Sequence, residues 1–257
     1  MKTHLKTRSS NQLGLLYFLD FLVVFLGISV SFWMNEWNSD RENDRLHHED
    51  VHALLVDMDH DSQSLNRIHD YIIQGDAKAL RLLDVIQSQR EQRLPYKAYV
   101  DSLSSIGYVY NYSTFFMVSA TYKSLVNTGR IQSFSAEVNM SLRDYYEAAA
   151  KQVEDNNHLV DEVAMNYYNE AHPFLNYMAI DTNSVEKNKL FFRDEAIRQH
   201  YTDLQFYIRT LALRDRIQLH LMQVNIYMDK VNHLDSLVRS QAALEGRLKS
   251  PPDKNNH

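Results

Sequence analysis

Hydrophobic and polar residues are distributed unevenly along the chain, and the sharpest contrast lies near its start. Residues 13–34 form an almost unbroken apolar stretch with one charged side chain, Asp20. As a helix, these roughly 22 residues would cover about 30 Å, the thickness of a bilayer's hydrocarbon core. We predict a transmembrane helix over 13–34 that follows a basic N-terminus at 1–12 and precedes a polar domain at 35–249, with a disordered tail at 250–257.

The charges beside the span predict its orientation. Lys2, Lys6 and Arg8 precede it without an acidic residue, whereas acidic residues outnumber basic ones directly after it. Because Lys and Arg resist transfer across the membrane, we expect a single-pass protein of the inner membrane with a cytoplasmic N-terminus and a periplasmic C-terminal domain. Trp33 and Trp37 fit the far membrane–water interface, where an indole ring is buried while its N–H stays hydrated.

A cleaved signal peptide is the alternative interpretation of this stretch. Ser29 and Ser31 supply the small residues that a cleavage site requires. Asp20, however, interrupts the apolar run, and bulky apolar residues continue past the possible cleavage point. The pattern therefore favours a retained anchor.

Asp20 needs an explanation because a carboxylate deep in a bilayer costs about 2.5–3.5 kcal/mol on insertion scales. It either lies near the cytoplasmic interface, within reach of water or Lys6, or faces another helix. Gly27, Ser29 and Ser31 give the span small residues that allow a second helix to approach closely. Asp20 and Gly27 are therefore candidate contacts between spans.

Beyond the span, apolar residues recur at helical spacing. No Gly or Pro interrupts the chain between Gly27 and Gly75. One apolar face follows the three–four spacing of an amphipathic helix and includes Val51, Leu55, Met58, Leu65 and Ile72. We predict that this helix ends at Gly75, that a second begins at Asp76, and that Pro95 stops the second or starts the next.

A short segment after these helices has a different pattern. Tyr108, Tyr110 and Tyr112 alternate with other residues, which is strand-like but too short to form a sheet alone. We predict an extended connector whose aromatic rings pack on the helices. An aromatic platform for a ligand is the alternative role of these tyrosines.

The pattern of the remaining sequence predicts three more helices. The first begins at Ser113 or Thr114 and ends at Gly129, and the second runs from Ser135 to about Pro173. The third extends from Arg193 to Glu245 without Gly or Pro. Its apolar residues keep heptad-like spacing in two runs separated by a skip near residues 212–216: Ile197, Tyr201, Leu204, Ile208 and Leu211, then Ile217, Leu221, Val224, Met228, Val231, Leu234 and Val238. Such a coiled-coil-like face requires partners, either earlier helices or a second subunit.

Composition supports this helical interpretation. Six glycines and four prolines are few for 257 residues and indicate long helices with few turns. There is no cysteine, which excludes disulfides and thiol chemistry. The formal net charge of −6 opposes binding of nucleic acid. The predicted fold class is all-α, with one N-terminal transmembrane helix followed by an elongated antiparallel helical bundle.

Two groups of residues are similar to a family of exported, N-terminally anchored proteins from Bacteroidota that is known only as a domain of unknown function. The first group is Asp20, Gly27-Ile28 and Asn35-Glu36-Trp37-Asn38, where the family usually has Glu at the first position. The second group is Tyr122-Lys123-Ser124-Leu125, Thr128-Gly129 and Leu142-Arg143-Asp144-Tyr145-Tyr146. The resemblance covers the first 40 residues well and the middle of the chain sparsely. It implies an inner-membrane anchor and a helical exported domain, and it implies no activity.

The most prominent chemical motif is His48-Glu49-Asp50-Val51-His52, which fits H-E-x-x-H. On a helix this spacing puts two imidazoles on one face beside a possible general base, as in zinc hydrolases. Asp59 lies on the same stripe as a possible further ligand, but the charged residue inside the motif is unlike those of buried zinc helices. Metal binding by His48, His52 and Asp59 without catalysis is the second interpretation, and a polar helix face is the third.

Other motifs predict no reaction. Asp57, Asp59 and Asp61 imitate the start of a calcium loop, but Ser62 and Ile68 stand where the loop needs Gly and Glu. The glycines are scattered singly, so there is no nucleotide-binding loop.

The sequence thus favours a non-enzymatic, membrane-anchored interaction or scaffold protein that needs no cofactor. Its expected partners are the membrane and either another protein or further copies of itself. A helical ligand sensor that acts through a partner and, more remotely, a zinc metallohydrolase at His48 and His52 are the alternatives.

Overall fold

The computed structural model describes residues 10–110, 114–175 and 190–249, and every regular element within these ranges is helical. The chain divides into two compact units, Met1–His52 and Ala53–His257. The α-helices whose two ends lie within the described ranges are α1 Ser10–Arg90, α2 Tyr96–Ile106, α3 Ala120–Thr128, α4 Ala136–Arg143, α5 Ala150–Asn166, α6 Glu195–Thr202 and α7 Leu204–Lys249, and residues 190–193 are helical as well. The all-helical prediction is confirmed for these residues.

The first unit contains the N-terminal part of α1. Its best 18-residue window has a mean hydropathy of 1.9, and none of that window is buried within the protein. Side chains of the predicted span that the structure describes, from Tyr17 onward, are exposed. By length and composition, α1 can therefore cross a membrane.

The prediction that the first helix ends at Gly75 is wrong, because α1 continues through this glycine to Arg90. Glycine is required at position 75 because another segment of the chain lies directly against α1 there. A Cβ at residue 75 would lie 3.0 Å from the carbonyl oxygen of Val109 and 3.4 Å from Cδ2 of Tyr110. Glycine thus allows the connector after α2 to lie directly against α1.

Gly75→Ala is expected to destabilise the protein by about 1 kcal/mol, although alanine is the better helix former. The Val109 carbonyl cannot easily retreat, because the Tyr168 hydroxyl holds the connector through the backbone N–H groups of Val109 and Tyr110, at 3.2 and 2.9 Å. Denaturant unfolding measures the effect. Gly246→Ala is the matched control, since a Cβ there meets nothing within 4 Å, and it should be neutral or stabilising.

Helix α3 begins later than predicted, and its N-terminal N–H groups are satisfied from another helix. Ser113 lies outside the described residues, and α3 begins only at Ala120. Two carboxylates of α1 accept the hydrogen bonds: Asp61 from the N–H of Val118 at 2.9 Å and Asp57 from that of Thr121 at 3.3 Å. These aspartates, which imitate a calcium loop in sequence, instead stabilise the start of α3. The predicted end at Gly129 is confirmed, with φ of 74°.

The long helix predicted from Ser135 to Pro173 is present, but it contains two π-helical turns. Asp144–Ala149 separates α4 from α5, and Tyr167–Ala171 follows α5. Each π turn carries a Tyr-Tyr pair whose first member is buried and bonds to another helix. Tyr145 donates to Asp61 of α1 at 2.8 Å, and Tyr167 shares a 2.9 Å hydrogen bond with Thr210 of α7.

The single helix predicted from Arg193 to Glu245 is interrupted at Asp203, where α6 ends and α7 begins. The Asp203 side chain accepts from the N–H of Gln205 at 2.7 Å, as expected for a residue at a helix start. Helix α7 is continuous through residues 212–216 and packs on α4, on both π turns and on α5.

The skip in the apolar pattern separates two different faces of α7, one exposed and one buried. The first predicted run contains Leu204, Ile208 and Leu211, and all three are exposed. The core in this part of α7 is formed by Phe206, Thr210 and Leu213 instead. The second run was predicted correctly at Ile217, Val224, Val231, Leu234 and Val238, which are all buried.

Candidate functional site

A cavity of about 240 Å³ lies between the second π turn, the end of α5 and the N-terminal third of α7. Its apolar lining includes Val163, Ala212 and Leu213 together with the ring of Tyr167. The Tyr167 hydroxyl is already bonded to Thr210, so this residue offers the cavity its ring. We refer to this space as the α5/α7 cavity.

Three charged side chains also line the α5/α7 cavity. Arg209 donates to Glu170 at 2.9 Å, and this pair is well exposed. Arg216, two turns further along α7, is exposed and makes no ion pair or side-chain hydrogen bond with any residue in the described part of the chain. The cavity therefore combines an apolar wall with one uncompensated positive charge.

A second, narrow cavity of about 30 Å³ shares Val163, Leu213 and Arg216 with the first. Its inner wall carries a buried polar pair in which the Tyr110 hydroxyl is hydrogen-bonded to Nδ1 of His220. Desolvation lowers the pKa of His220 to about 4 and raises that of Tyr110 above its ordinary value. Both groups are therefore neutral at pH 7, and the pair acts as a neutral hydrogen bond in the core.

A second buried histidine lies in an aromatic cluster at the junction of α6 and α7. Nδ1 of His172 is 3.1 Å from the hydroxyl of Tyr201, which also accepts from the N–H of Phe174 at 3.2 Å. Tyr99 donates to the backbone carbonyl of Tyr201 at 2.6 Å. Burial lowers the pKa of His172 to about 3, with a smaller effect from His200. The hydrogen bonds fix the positions of these side chains, and burial keeps His172 neutral.

Helix α7 also has an apolar surface directed away from the core. At about 100° per residue, its large exposed apolar side chains between residues 204 and 226 lie within an arc of about 80° opposite the buried Leu213, Val224 and Val231. We call this set the outer stripe, and it consists of Leu204, Ile208, Leu211, Leu219, Met222 and Ile226, each 39–49% exposed. Asp215 lies in the middle of the stripe, is exposed and has no partner among the described residues.

The residues of the H-E-x-x-H motif are not assembled into a metal centre. His48 and His52 are exposed on the part of α1 that belongs to the first unit. Asp59 belongs to the second unit and accepts a hydrogen bond from Gln63 at 2.8 Å. Within residues 10–110, 114–175 and 190–249, no group of three His, Cys, Asp or Glu side chains could hold a metal ion.

The predicted tyrosine platform has a structural role where it is described. Tyr110 is buried, and its backbone N–H and carbonyl are both bonded to the Tyr168 hydroxyl, at 2.9 and 2.6 Å. Tyr108 is 39% exposed and packs edge-on against Tyr168, with 5.2 Å between ring centroids. Tyr112 lies outside the described residues.

The predicted membrane residues are all exposed on α1. Asp20, Trp33 and Trp37 are exposed, and a Cβ at Gly27 would meet nothing within 4 Å. Arg41 lies 5.0 Å from the ring centroid of Trp37. This exposure is compatible with a lipid environment, and the contact between spans through Asp20 and Gly27 stays a prediction.

Comparison with known proteins adds no assignment, since no family model, no curated protein and no solved structure matches the chain. The resemblance to the family from Bacteroidota therefore stays a prediction.

Sequence reasoning missed Arg216 and the Tyr110–His220 pair. One signal was present for His220: it stands three residues after Ile217 and four before Val224, so it belongs to the apolar run. Arg216 gave no comparable signal, because a single Arg on a helix is usually a solvated side chain.

Proposed function

We propose that this protein is a non-enzymatic, membrane-anchored interaction protein that binds an amphipathic helix of another protein through the outer stripe of α7. The observation that carries the proposal is the stripe itself, six apolar side chains that stay exposed along more than six helical turns. An apolar helix face that is not used in the core is the surface that helix–helix recognition requires.

The anchor is the other half of the proposal. The apolar part of α1 would span the inner membrane, with Trp33 and Trp37 at the far interface. The basic N-terminus would stay in the cytoplasm, and the remaining helices would form an elongated antiparallel bundle in the periplasm. The resemblance to anchored proteins from Bacteroidota supports the same placement.

Charge on the outer stripe favours another protein over a second copy of this chain. Asp215 stands midway between Leu204 and Ile226, so two copies that pair the whole stripe about a two-fold axis place Asp215 opposite Asp215 at the centre of the interface, whether the helices run parallel or antiparallel. Like charges in that position destabilise a helix pair. A partner helix that presents apolar residues at three–four spacing and a Lys or Arg opposite Asp215 avoids this repulsion and gains an ion pair.

Site-specific photocrosslinking in intact cells tests the proposal. A photoreactive amino acid replaces Ile208 or Met222 in the full-length chain, with the exposed Arg239 of the same helix as the matched control. We expect one distinct crosslinked protein at positions 208 and 222 and none at 239. Asp215→Arg should reduce that crosslink at least tenfold, because it reverses the charge that the partner's basic residue faces.

Two results would contradict the proposal. Equal crosslinking at 208, 222 and 239 would mean that the stripe has no specific occupant. A crosslinked product that contains only this chain would mean that the stripe joins copies of the protein instead of binding a partner.

A further inference from the structure

We infer that the α5/α7 cavity binds a small amphipathic monocarboxylate, with its carboxylate on Arg216 and its apolar chain on Val163, Ala212 and Leu213. The outer stripe is not involved, so this inference is independent of the proposed interaction with a partner helix.

The charge of the ligand follows from the three ionic side chains of the cavity. Glu170 and Arg209 neutralise each other at one end, at 2.9 Å. Arg216 is left with a guanidinium that no described residue pairs. A planar guanidinium binds a carboxylate through two parallel N–H···O bonds, which makes Arg the preferred residue for this anion.

The apolar part of the ligand follows from the lining. The apolar part of the cavity wall includes Val163, Ala212, Leu213 and the ring of Tyr167. The hydroxyl of Tyr167 is engaged by Thr210, and the amide of Asn166 is the neutral polar side chain that the lining adds, so most of the wall offers a ligand no hydrogen bond. A ligand with an apolar chain gains the most binding free energy on such a wall, because both apolar surfaces are removed from water.

The volume limits the size of the ligand. About 240 Å³ equals the liquid volume of about eight water molecules. It is below the range of about 300–1,000 Å³ that is usual for drug-sized ligands. A carboxylate with a chain of about five to seven carbons fits, whereas the complete acyl chain of a membrane lipid does not.

Calorimetric titration of the full-length protein in lipid nanodiscs with sodium hexanoate tests the inference, with empty nanodiscs as the blank. We expect saturable binding with a Kd of about 1 mM, a value that suits a ligand of about eight non-hydrogen atoms. Uncharged 1-hexanol should bind at least tenfold more weakly, because it cannot pair with Arg216.

Three variants make the result specific to this cavity. Arg216→Gln should weaken hexanoate binding about tenfold, and Ala212→Trp, which fills the cavity from an exposed position, should abolish it. Arg239→Gln, which changes an exposed arginine elsewhere on α7, should leave binding unchanged. Three results would each overturn the inference. The first is that no saturable binding occurs below 10 mM, which is roughly tenfold above the expected Kd. The others are equal affinities for hexanoate and hexanol and equal effects of the two arginine variants.

Discussion

Replacement of Asp61 by alanine is expected to destabilise the protein by about 3 kcal/mol. The carboxylate is fully buried and accepts hydrogen bonds from the N–H of Val118 and the hydroxyl of Tyr145. Alanine would leave both donors unsatisfied, at about 1–3 kcal/mol each. The loss would loosen the start of α3 and the first π turn together, since both depend on this one side chain.

Denaturant unfolding of the full-length protein in detergent, followed by circular dichroism, measures this effect. Asp59→Ala is the matched control: Asp59 is exposed on the same helix and bonds only to Gln63 among the described residues, so its loss should cost about 0.5 kcal/mol or less. Tyr145→Phe should cost about 1 kcal/mol, because Asp61 keeps its bond to Val118. Equal stabilities of the Asp61 and Asp59 variants would show that the buried carboxylate does not stabilise the fold.

The second large effect is loss of stability in acid, caused by two buried histidines. Burial lowers the pKa of His172 to about 3 and that of His220 to about 4, from an ordinary value of 6.5. At these two side chains, the unfolded chain therefore binds more protons than the folded chain below pH 6.5. Their contribution to stability is fully present above that pH and is lost as the pH falls towards 4 and then 3.

Asp61 opposes this trend over part of the same range. Burial raises the pKa of its carboxyl to about 6, from 3.8, so the folded chain binds the extra proton between these values. The contribution of Asp61 therefore rises as the pH falls from 6 to 4. Two imidazoles outweigh one carboxyl, and we expect a net loss on the order of 3 kcal/mol between pH 6.5 and pH 4.

Unfolding free energies measured from pH 7 to pH 4 test this expectation. His172→Asn and His220→Asn retain a neutral group near the position of Nδ1. Each should therefore reduce the slope of the unfolding free energy against pH by an amount that corresponds to up to one proton taken up on unfolding. His233→Asn, at an exposed position of α7, controls for substitution itself. Stability that stays constant or rises on acidification of the native protein would contradict the assignment of both histidines as buried neutral groups.

Local signals in the sequence predicted several boundaries correctly. Ser135 begins the α4–α5 run by accepting from the N–H of Val138, Gly129 ends α3 in a left-handed conformation, and Pro95 directly precedes α2. These features depend on the conformational preferences of one or two residues and their immediate neighbours. Such preferences are encoded in the sequence.

The errors arose where a local signal was overruled by a distant contact. Gly75 normally favours a helix end, but α1 continues because the glycine makes room for the connector at Val109. The apolar spacing of Leu204, Ile208 and Leu211 predicted a core face, but these residues are exposed. Helix α7 is buried there through Phe206, Thr210 and Leu213 instead, and Thr210 bonds to Tyr167 of the second π turn. Neither contact leaves a pattern within a short window of sequence.

The sequence by itself determined that this protein is helical and that its N-terminal stretch can cross a membrane, because both follow from the period and length of apolar runs. Only the tertiary structure decided which apolar face of α7 is buried, which groups Asp61 binds, and that Arg216 lies beside an apolar wall without a partner among the described residues. Those outcomes depend on side chains brought together from separate helices. Helical periodicity shows that a face needs covering, whereas the packing of the chain decides what covers it.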